Sequence, residues 1–476
     1  MPFKDLREFI ANLEKEGEAQ RIEEEVDWNQ EAGAMVRRAS EQGLPAPLFQ
    51  KVKGYPEGYR LFGAPLANKR RIAIAMDMAP DTPVKELTEE YLKRKQSPIK
   101  PVLVDDGPCK ENVHIGTEVD LLEFPVPLVH HGDGGRYIGT FHLTIAKDLE
   151  SDWVNWGMYR HMLQNKNTVA IEASSHTHLG MMRTHQYEPR NKPMEVAIAI
   201  GPEPISAFCA SSPMPYGVSE VDIAGGMRGE PIELIKCETV DLFVPATAEI
   251  VIEGEIRPNE RMEEGPFGEY TGYVATLRAA RPVIYVKAVT HRNNPILTMT
   301  CEGVPTTETH AIMSVAKAAE FLEVLRARGL PVTGLCLFTE TCSMLPVVSV
   351  KVPYADVAGE IAHVIWATRF GRGVPYIIVV EDDIDPFNMG QVLHALVTKC
   401  HPNRGIVKLE HAAGTLYMPW ANEHERRHLI GARAYFDCTW PADWEPSVVP
   451  KKSSFEQIYP MEIQRSALTK WRKYGY

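Results

Sequence analysis

A chain of 476 residues, 44% hydrophobic and 24% charged, is long enough for several cores of roughly 150 residues each, and its balance is that of a globular protein. The net charge of −12, with no basic run beyond Asn68–Arg71, would repel a nucleic-acid backbone, and no apolar run reaches the ~18 residues that cross a bilayer. Neither nucleic acid nor a membrane is expected as a partner.

The chain begins with "MPFKDLREFIANLEKEGE", in which Leu6, Phe9, Ile10 and Leu13 recur at helical spacing. It lacks the apolar core and cleavage site of a secretory signal, so a cytoplasmic location is expected. A second helix around Glu31–Arg38 and short strands such as "YRLFGAPLA" make residues 1–112 a small α+β unit. Residues 113–308 are rich in strand-like runs: "FHLTIAKDL", "NTVAIEAS", "MEVAIAIG", "ISAFCAS", "ATAEIVIEGEI" and "RPVIYVKAVTHRNNPILTMT". Short strands parted by Gly, Pro and Asn predict an antiparallel sheet or barrel, with "HRNNP" as a hairpin turn. From "THAIMSVAKAAEFLEVLRARGLP" the period turns helical, and residues 309–330 are read as a helix between domains, stopped by Gly-Leu-Pro. Residues 331–476 alternate strand and helix ("PVVSVKV", "YADVAGEIAHVIWATRF", "PYIIVVEDD", "NMGQVLHALVTK", "GIVKLE"), a pattern for an α/β sheet. Its Trp- and Pro-rich tail from Phe436 to Tyr476 ends in a helix, and the tail can wrap over another domain. The eight cysteines (109, 209, 237, 301, 336, 342, 400 and 438) show neither a C-x-x-C pair nor zinc spacing, and read as reduced packing residues.

Four stretches carry possible chemistry. In "RMEEGPFGEYTGY" Glu264 and Glu269 stand five residues apart, an offset that regular structure turns away from a common face. Pro266 fixes φ and Gly265 and Gly268 free it, so the segment is expected to curl and bring both acids to one cavity. In "DWVNWGMYRHM" an extended chain puts Trp153, Asn155, Gly157 and Tyr159 on one face and Trp156, Met158 and Arg160 on the other. Arg160 can bind an acid substrate or hold a glutamate, or be a solvated edge residue. "SSHTHLGMM" offers His176 and His178 on one face if it is a strand, an arrangement shared by metal ligands and by ordinary buried histidines. "CASSPMPYGVSEVD" sets Glu220 after hydroxyls and carbonyls, hard donors that suit manganese, magnesium or potassium better than zinc. The Gly-rich "VHHGDGGRYIG" is no nucleotide fingerprint and reads as a flexible turn, and "EDDID" after "PYIIVV" as a solvated loop. Two carboxylates beside a cavity also describe a glycosidase.

Taken in order, Asn155 with Arg160, the histidine near 178, "GVSE" ending in Glu220 and "EGPFGE" from Glu264 to Glu269 resemble the UbiD family of reversible (de)carboxylases. The likeness continues through "GDGGRYI", "KCETVDLFVPATAEIVIEGE", "HRNNPI" and "DDIDPFN". It implies a multidomain α+β fold with a central split β-barrel of flavin-reductase type that binds prenylated FMN. An N-terminal α+β domain and a C-terminal α/β oligomerisation domain joined by a helix complete it. By resemblance, Asn155, Trp156, Met158, Tyr159, Arg160, Ser175, His178, Pro213, Met214 and Glu220 contact the cofactor. Asn155, His178 and Glu220 would ligate manganese, with His176 an alternative to His178, and Trp156, Ala210, Ser211 and Glu220 would surround potassium. Arg160, Glu264 and Glu269 correspond to the family's Glu-Arg-Glu triad, and the implied reaction is non-oxidative decarboxylation through a covalent adduct between substrate and prenylated FMN, with Glu269 as proton donor.

The resemblance also implies a flavin prenyltransferase as cofactor supplier and a homo-oligomer, dimer or hexamer. Where some relatives carry a lysine before "YIIVV", Pro375 stands here, so a phosphate contact must come from elsewhere. Met158, the segment "EGVPTTETHAIM" and the stretch Leu416–Trp420 are the candidates to face the substrate. A cavity lined by them suits a flat conjugated acid, an aromatic or heteroaromatic acid first and a cinnamic or acrylic acid second.

Overall fold

The structure is a computed structural model describing residues 2–274 and 277–476. The first helix, Leu6–Lys15, starts at Asp5, whose side chain accepts from the Glu8 amide, and buries Leu6, Phe9, Ile10 and Leu13. A four-stranded sheet belongs to this unit, in the order Ala19–Val26, Ala46–Val52, Arg60–Gly63 and Ile296–Met299. The last of these strands arrives from beyond the central sheet. "HRNNP" is therefore no hairpin turn: the strand before it, Ala279–His291, lies in the central sheet, and the strand after it pairs in parallel with Arg60–Gly63. Arg7 donates to the carbonyls of Asn293 and Asn294 at 2.9 and 3.1 Å, and Arg60 to that of Asn294 at 2.7 Å. These bonds hold the turn against the N-terminal unit and send the chain across.

The central sheet runs Tyr137–Gly139, His161–Asn165, Thr168–Ile171, Ala279–His291, Ile250–Glu264, Met194–Ile200, His142–Lys147, Val154–Gly157, with Asn112–Ile115 also paired to Ala279–His291. Val154–Gly157 ends this path, yet the next strand in sequence, His161–Asn165, lies near its other end. In a flat sheet these strands would sit roughly 29 Å apart, and the link between them reaches about 15 Å at most. The sheet must curl, and residues 158–160 bridge its two ends. "DWVNWGMYRHM" is thus two strands rather than one extended run, which is why Asn155 and Arg160 reach one cavity despite their opposite parity.

Two further expectations change. "ISAFCAS" is a helix, Pro204–Ser211, with Pro at its first turn and the Glu203 carboxylate accepting from the amides of Ile205 and Ser206. It is buried from Pro204 to Ala210, and a helix covered on all sides shows no amphipathic period. The histidine segment is a turn followed by the helix His178–Met182, capped by Thr177, so His176 and His178 do not share a strand face.

The helix Glu308–Ala327 joins the central sheet to the C-terminal unit and ends before Gly329, whose φ of +72° suits glycine. The C-terminal sheet is mixed, in the order Val332–Leu337, Pro346–Val350, Tyr376–Glu381, Ile430–Cys438 and Ile406–Ala413, parallel in the middle and antiparallel at both edges. In the acidic stretch at the end of Tyr376–Glu381, Lys399 meets Glu381 and Asp383, and Lys452 meets Asp383, while Asp382, Asp383 and Asp385 stay exposed, as a solvated loop requires. The final helix, Met461–Trp471, has no buried residue, while the tail before it, from Trp440 to Lys452, lines a cavity together with Val352, Ile384 and His394 of the C-terminal unit.

Candidate active site

A cavity of about 300 Å³ opens between the curled sheet, the helix Glu308–Ala327 and the C-terminal unit. Asn155, Trp156, Met158, Tyr159, Arg160, His178, Ala210, Ser211, Met214, Glu220 and Glu269 line it. Glu264 stands just behind Arg160. Ser175 and Pro213 do not line it: Ser175 is exposed and Pro213 is buried, while their neighbours Ser174, Ser212 and Met214 line the wall.

At one end three donors converge. The Asn155 amide nitrogen lies 3.0 Å from Glu220 Oε1 and 3.3 Å from His178 Nδ1, and His178 Nδ1 lies 3.8 Å from Glu220 Oε1. Each comes from a different element: a strand, the first residue of the helix His178–Met182 and the first residue of the helix Glu220–Arg228. Glu220 Oε2 accepts from the Trp156 amide at 3.0 Å. Burial lowers the pKa of His178, opposed by its hydrogen bond to Glu220 and assisted by the Arg369 charge, so the imidazole is neutral and free to ligate. His176 is exposed and lines an adjoining chamber; of the two histidines, His178 joins the cluster. Arg369 touches His178 Nε2 and donates to the Met214 carbonyl. Sequence reading missed it, although the absence of a lysine at Pro375 called for a cation from elsewhere.

At the other end lie the acids. Arg160 grips Glu264 with two bonds of 2.7 and 2.9 Å and reaches Glu269 with its remaining nitrogen. The Tyr137 hydroxyl donates to Glu264 at 2.9 Å. The Gly-Pro-Phe-Gly turn curls as expected, but it depends on the loop read as a flexible turn. Gly134 donates to the Pro266 carbonyl at 2.7 Å, and a Cβ there would stand 2.0 Å from the Gly265 carbonyl oxygen. Asp133 accepts from the Gly268 amide at 3.1 Å and from His130 Nδ1 at 2.9 Å, and His130 Nε2 lies 2.7 Å from the Glu302 carbonyl. Burial opposes a charge on His130, yet its bond to Asp133 pushes the pKa up to about 11. An ion pair therefore clamps the Gly-Pro-Phe-Gly turn to the Glu302 segment.

Glu269 is buried, and burial pushes its pKa up to about 7 against the pull of Arg160; Glu302, Glu172 and Glu264 add to the rise. Glu172 and Glu302, which line the same cavity, were not singled out by sequence reading, since they lie far from the motif in the chain. Beyond Tyr270, Thr309, Met313, Phe370 and Tyr417, which line both spaces, an outer chamber of about 340 Å³ continues toward Lys317. Lys317 is buried, its Nζ 3.3 Å from the Ser343 carbonyl and 3.6 Å from Met344 Sδ, and burial lowers its pKa to about 8.

The chain matches the N-terminal, Rift-related and C-terminal domains of 3-octaprenyl-4-hydroxybenzoate carboxy-lyase (UbiD) over residues 10–91, 100–305 and 310–438. It is 32% identical to pyrrole-2-carboxylic acid decarboxylase of Pseudomonas aeruginosa, covering 99% of this chain and 98% of that one. It is 30% identical to ferulic acid decarboxylase 1 of Saccharomyces cerevisiae, covering 100% and 99%. The UbiD-class enzyme HmfF of Pelotomaculum thermopropionicum, in complex with FMN, superposes with a TM-score of 0.83 at 30% identity over 94% of this chain and 97% of its own. An evolved dimeric form of HmfF, in complex with prFMN, gives 0.81 at 29% identity over the same shares. The motif order, the curled sheet and the paired acids thus agree with full-length similarity, and the chain belongs to the UbiD family of carboxy-lyases, as a decarboxylase.

Proposed function

We propose that the protein catalyses the reversible, non-oxidative decarboxylation of an aromatic or heteroaromatic carboxylic acid with prenylated FMN, Glu269 acting as proton donor. One observation carries this reading: a single cavity has a buried Glu-Arg-Glu array at one end and converging Asn, His and Glu donors at the other. A neutral imidazole, a carboxylate and a carboxamide within reach of one another match a hard divalent ion such as manganese. Asn155, His178 and Glu220 would hold it beside the cofactor phosphate, with Arg369 as the second cation. Trp156, Ala210, Ser211 and Glu220 would offer oxygens to potassium.

Losing carbon dioxide from an unsaturated carbon leaves an electron pair without a stable home, and prenylated FMN supplies the electron sink when bound. The rest falls to the chain. Glu269, neutral below its raised pKa, gives the proton of its carboxyl to the carbon that has lost carbon dioxide, and takes a proton from that carbon in the reverse direction. Arg160 fixes the direction of Glu269 while its bidentate hold on Glu264 fixes Arg160. In substrate-free enzyme the acid must be protonated, so kcat/KM is expected to fall tenfold per pH unit well above pH 7. A pH profile flat to pH 9 excludes Glu269 as the donor.

The outer chamber bears on the substrate. Thr309, Met313 and Lys317 follow one face of the helix Glu308–Ala327, spanning about 12 Å. Lys317 at the far end would donate to an oxygen substituent remote from the reacting carboxyl. Lys317→Met keeps the volume and is expected to raise KM about tenfold for acids with such a substituent and to leave unsubstituted acids unchanged. Equal effects on both groups defeat the assignment. A cinnamic-type acid is the second reading, favoured by the extra length of the joined chambers.

The deciding experiment is expression with and without a flavin prenyltransferase, anaerobic purification, and mass and absorbance of the bound cofactor. Prenylated flavin only in the first case, with carbon dioxide release from aromatic acids, is the expected result. No bound flavin in either case, with manganese and potassium supplied, overturns the proposal. The exposed Met461, Ile463 and Leu468 of the last helix support self-association through the C-terminal unit, as dimer or hexamer.

A further inference from the structure

His114, Glu123 and His291 lie on the outside of the central sheet, at the far end of the ladder from Glu264. Glu264 pairs with Ala279 and Ile250 with His291 along the same two strands, roughly 40 Å of strand path from end to end. No part of the decarboxylase reading uses them. Among the described residues they are the one cluster of three His, Cys, Asp or Glu side chains whose donor atoms come close together, all within 4.8 Å of one another.

The backbone builds this cluster. His114 pairs with Val289 across the ladder, which puts it on the same face as His291, in the diagonal position two residues along. The two imidazoles lie parallel, 9° between planes with centroids 5.5 Å apart. Glu123 comes from the short turn Leu121–Glu123. Two details separate this group from a chance contact. His291 Nδ1 donates to its neighbour's carbonyl, Arg292 O, at 2.8 Å, which leaves the lone pair on Nε2, the arrangement by which metal-binding histidines are fixed in tautomer and direction. Glu123 Oε1 is a buried oxygen with no hydrogen-bond partner among the described residues, a costly state for a carboxylate that a cation would relieve.

We propose that His114, Glu123 and His291 bind a divalent late transition metal of the zinc class. Two imidazoles and one carboxylate are a zinc ligand set that leaves the fourth position to water, and imidazole favours zinc or cobalt over manganese or magnesium. Bonds of about 2.0–2.2 Å require the three donors to close in by side-chain rotation. The ion would pin the edge strand Asn112–Ile115 and the turn Leu121–Glu123 onto Ala279–His291, stapling the segment that enters the central sheet.

The test uses the full-length protein, stripped with chelator, saturated with Mn2+ and titrated with Zn2+ and, separately, Co2+. The variants are compared in the His178→Ala background, which lacks the cluster at the cavity where zinc could replace manganese, and one zinc per chain is expected there. Binding is expected to be lost in His114→Ala and about tenfold or more weaker in Glu123→Gln. Visible cobalt bands should follow the same pattern. His114 is only half-buried, so His114→Ala is expected to melt with the metal-free wild type, and zinc should raise the melting temperature only where the site is intact. Zinc uptake that survives His114→Ala in that background, or that is already absent from His178→Ala, overturns the proposal. None of these outcomes bears on decarboxylation.

Discussion

Glu269→Gln is expected to lower the rate of carbon dioxide release by about 10²–10⁴-fold while leaving cofactor binding intact. Glutamine matches the carboxyl in size and still accepts from Arg160, but it has no acidic proton to deliver. The loss should therefore appear in kcat, with the flavin spectrum unchanged. Stability supplies a control with its own sign. A carboxyl whose pKa rises to about 7 on folding contributes stability that is present below its unfolded pKa near 4.5 and is lost as pH climbs through 7. The wild type should thus lose more stability between pH 5 and pH 8 than Glu269→Gln, measured by denaturant unfolding at both pH values. A variant that keeps wild-type kcat assigns the proton to another group, Glu302 being the next carboxylate in the same cavity.

The parts legible in the sequence are those set by local chemistry. Leu6, Phe9, Ile10 and Leu13 announce a helix because their burial follows its period. Glu264 and Glu269 announce a shared cavity because the Gly-Pro-Phe-Gly turn between them cannot continue a strand. What stayed hidden depends on contacts from distant chain. Residues 204–211 are apolar enough to read as a strand, yet Glu203 and Pro204 start a helix there, and burial on all sides removes the amphipathic period that would mark it. "HRNNP" has the composition of a hairpin, but Arg7 and Arg60 hold its carbonyls and divert the next strand to another sheet.

The site shows the same division. His178 and Glu220 were legible as donors, His178 ahead of its alternative His176, and the helix that begins at residue 178 is what carries it into the cluster while His176 stays exposed. Arg369 comes from a turn after the helix Val357–Ala367, 149 residues beyond Glu220 in the chain, and nothing local marks it. The Gly-rich loop at 130–134 carries no chemistry of its own, and its function emerges only when Gly134 is seen against Gly265 and Asp133 against Gly268.

Removing Arg160 is expected to damage the protein more broadly than removing Glu269. Its guanidinium is almost wholly buried and answers two carboxylates, of which Glu264 is fully buried and Glu269 nearly so. Arg160→Met leaves both acids without their cation in a low-dielectric site, a change that costs about 3–5 kcal/mol of folding stability at neutral pH. The sign of its pH dependence follows from the same contacts. Arg160 holds the Glu269 pKa down, so without it the carboxyl stays protonated to higher pH, and the loss should shrink at pH 5, where Glu269 is neutral, and grow at pH 8. Lysine restores the charge but not the fork that binds Glu264 bidentately and Glu269 with the remaining nitrogen. Arg160→Lys should therefore recover most of the stability and little of the activity. Equal stability losses at pH 5 and pH 8 would mean that Arg160 acts through packing, such as its contact over the Phe267 ring at 5.5 Å, rather than through charge. Full activity in Arg160→Lys would mean that the direction of Glu269 is set by the clamped turn alone.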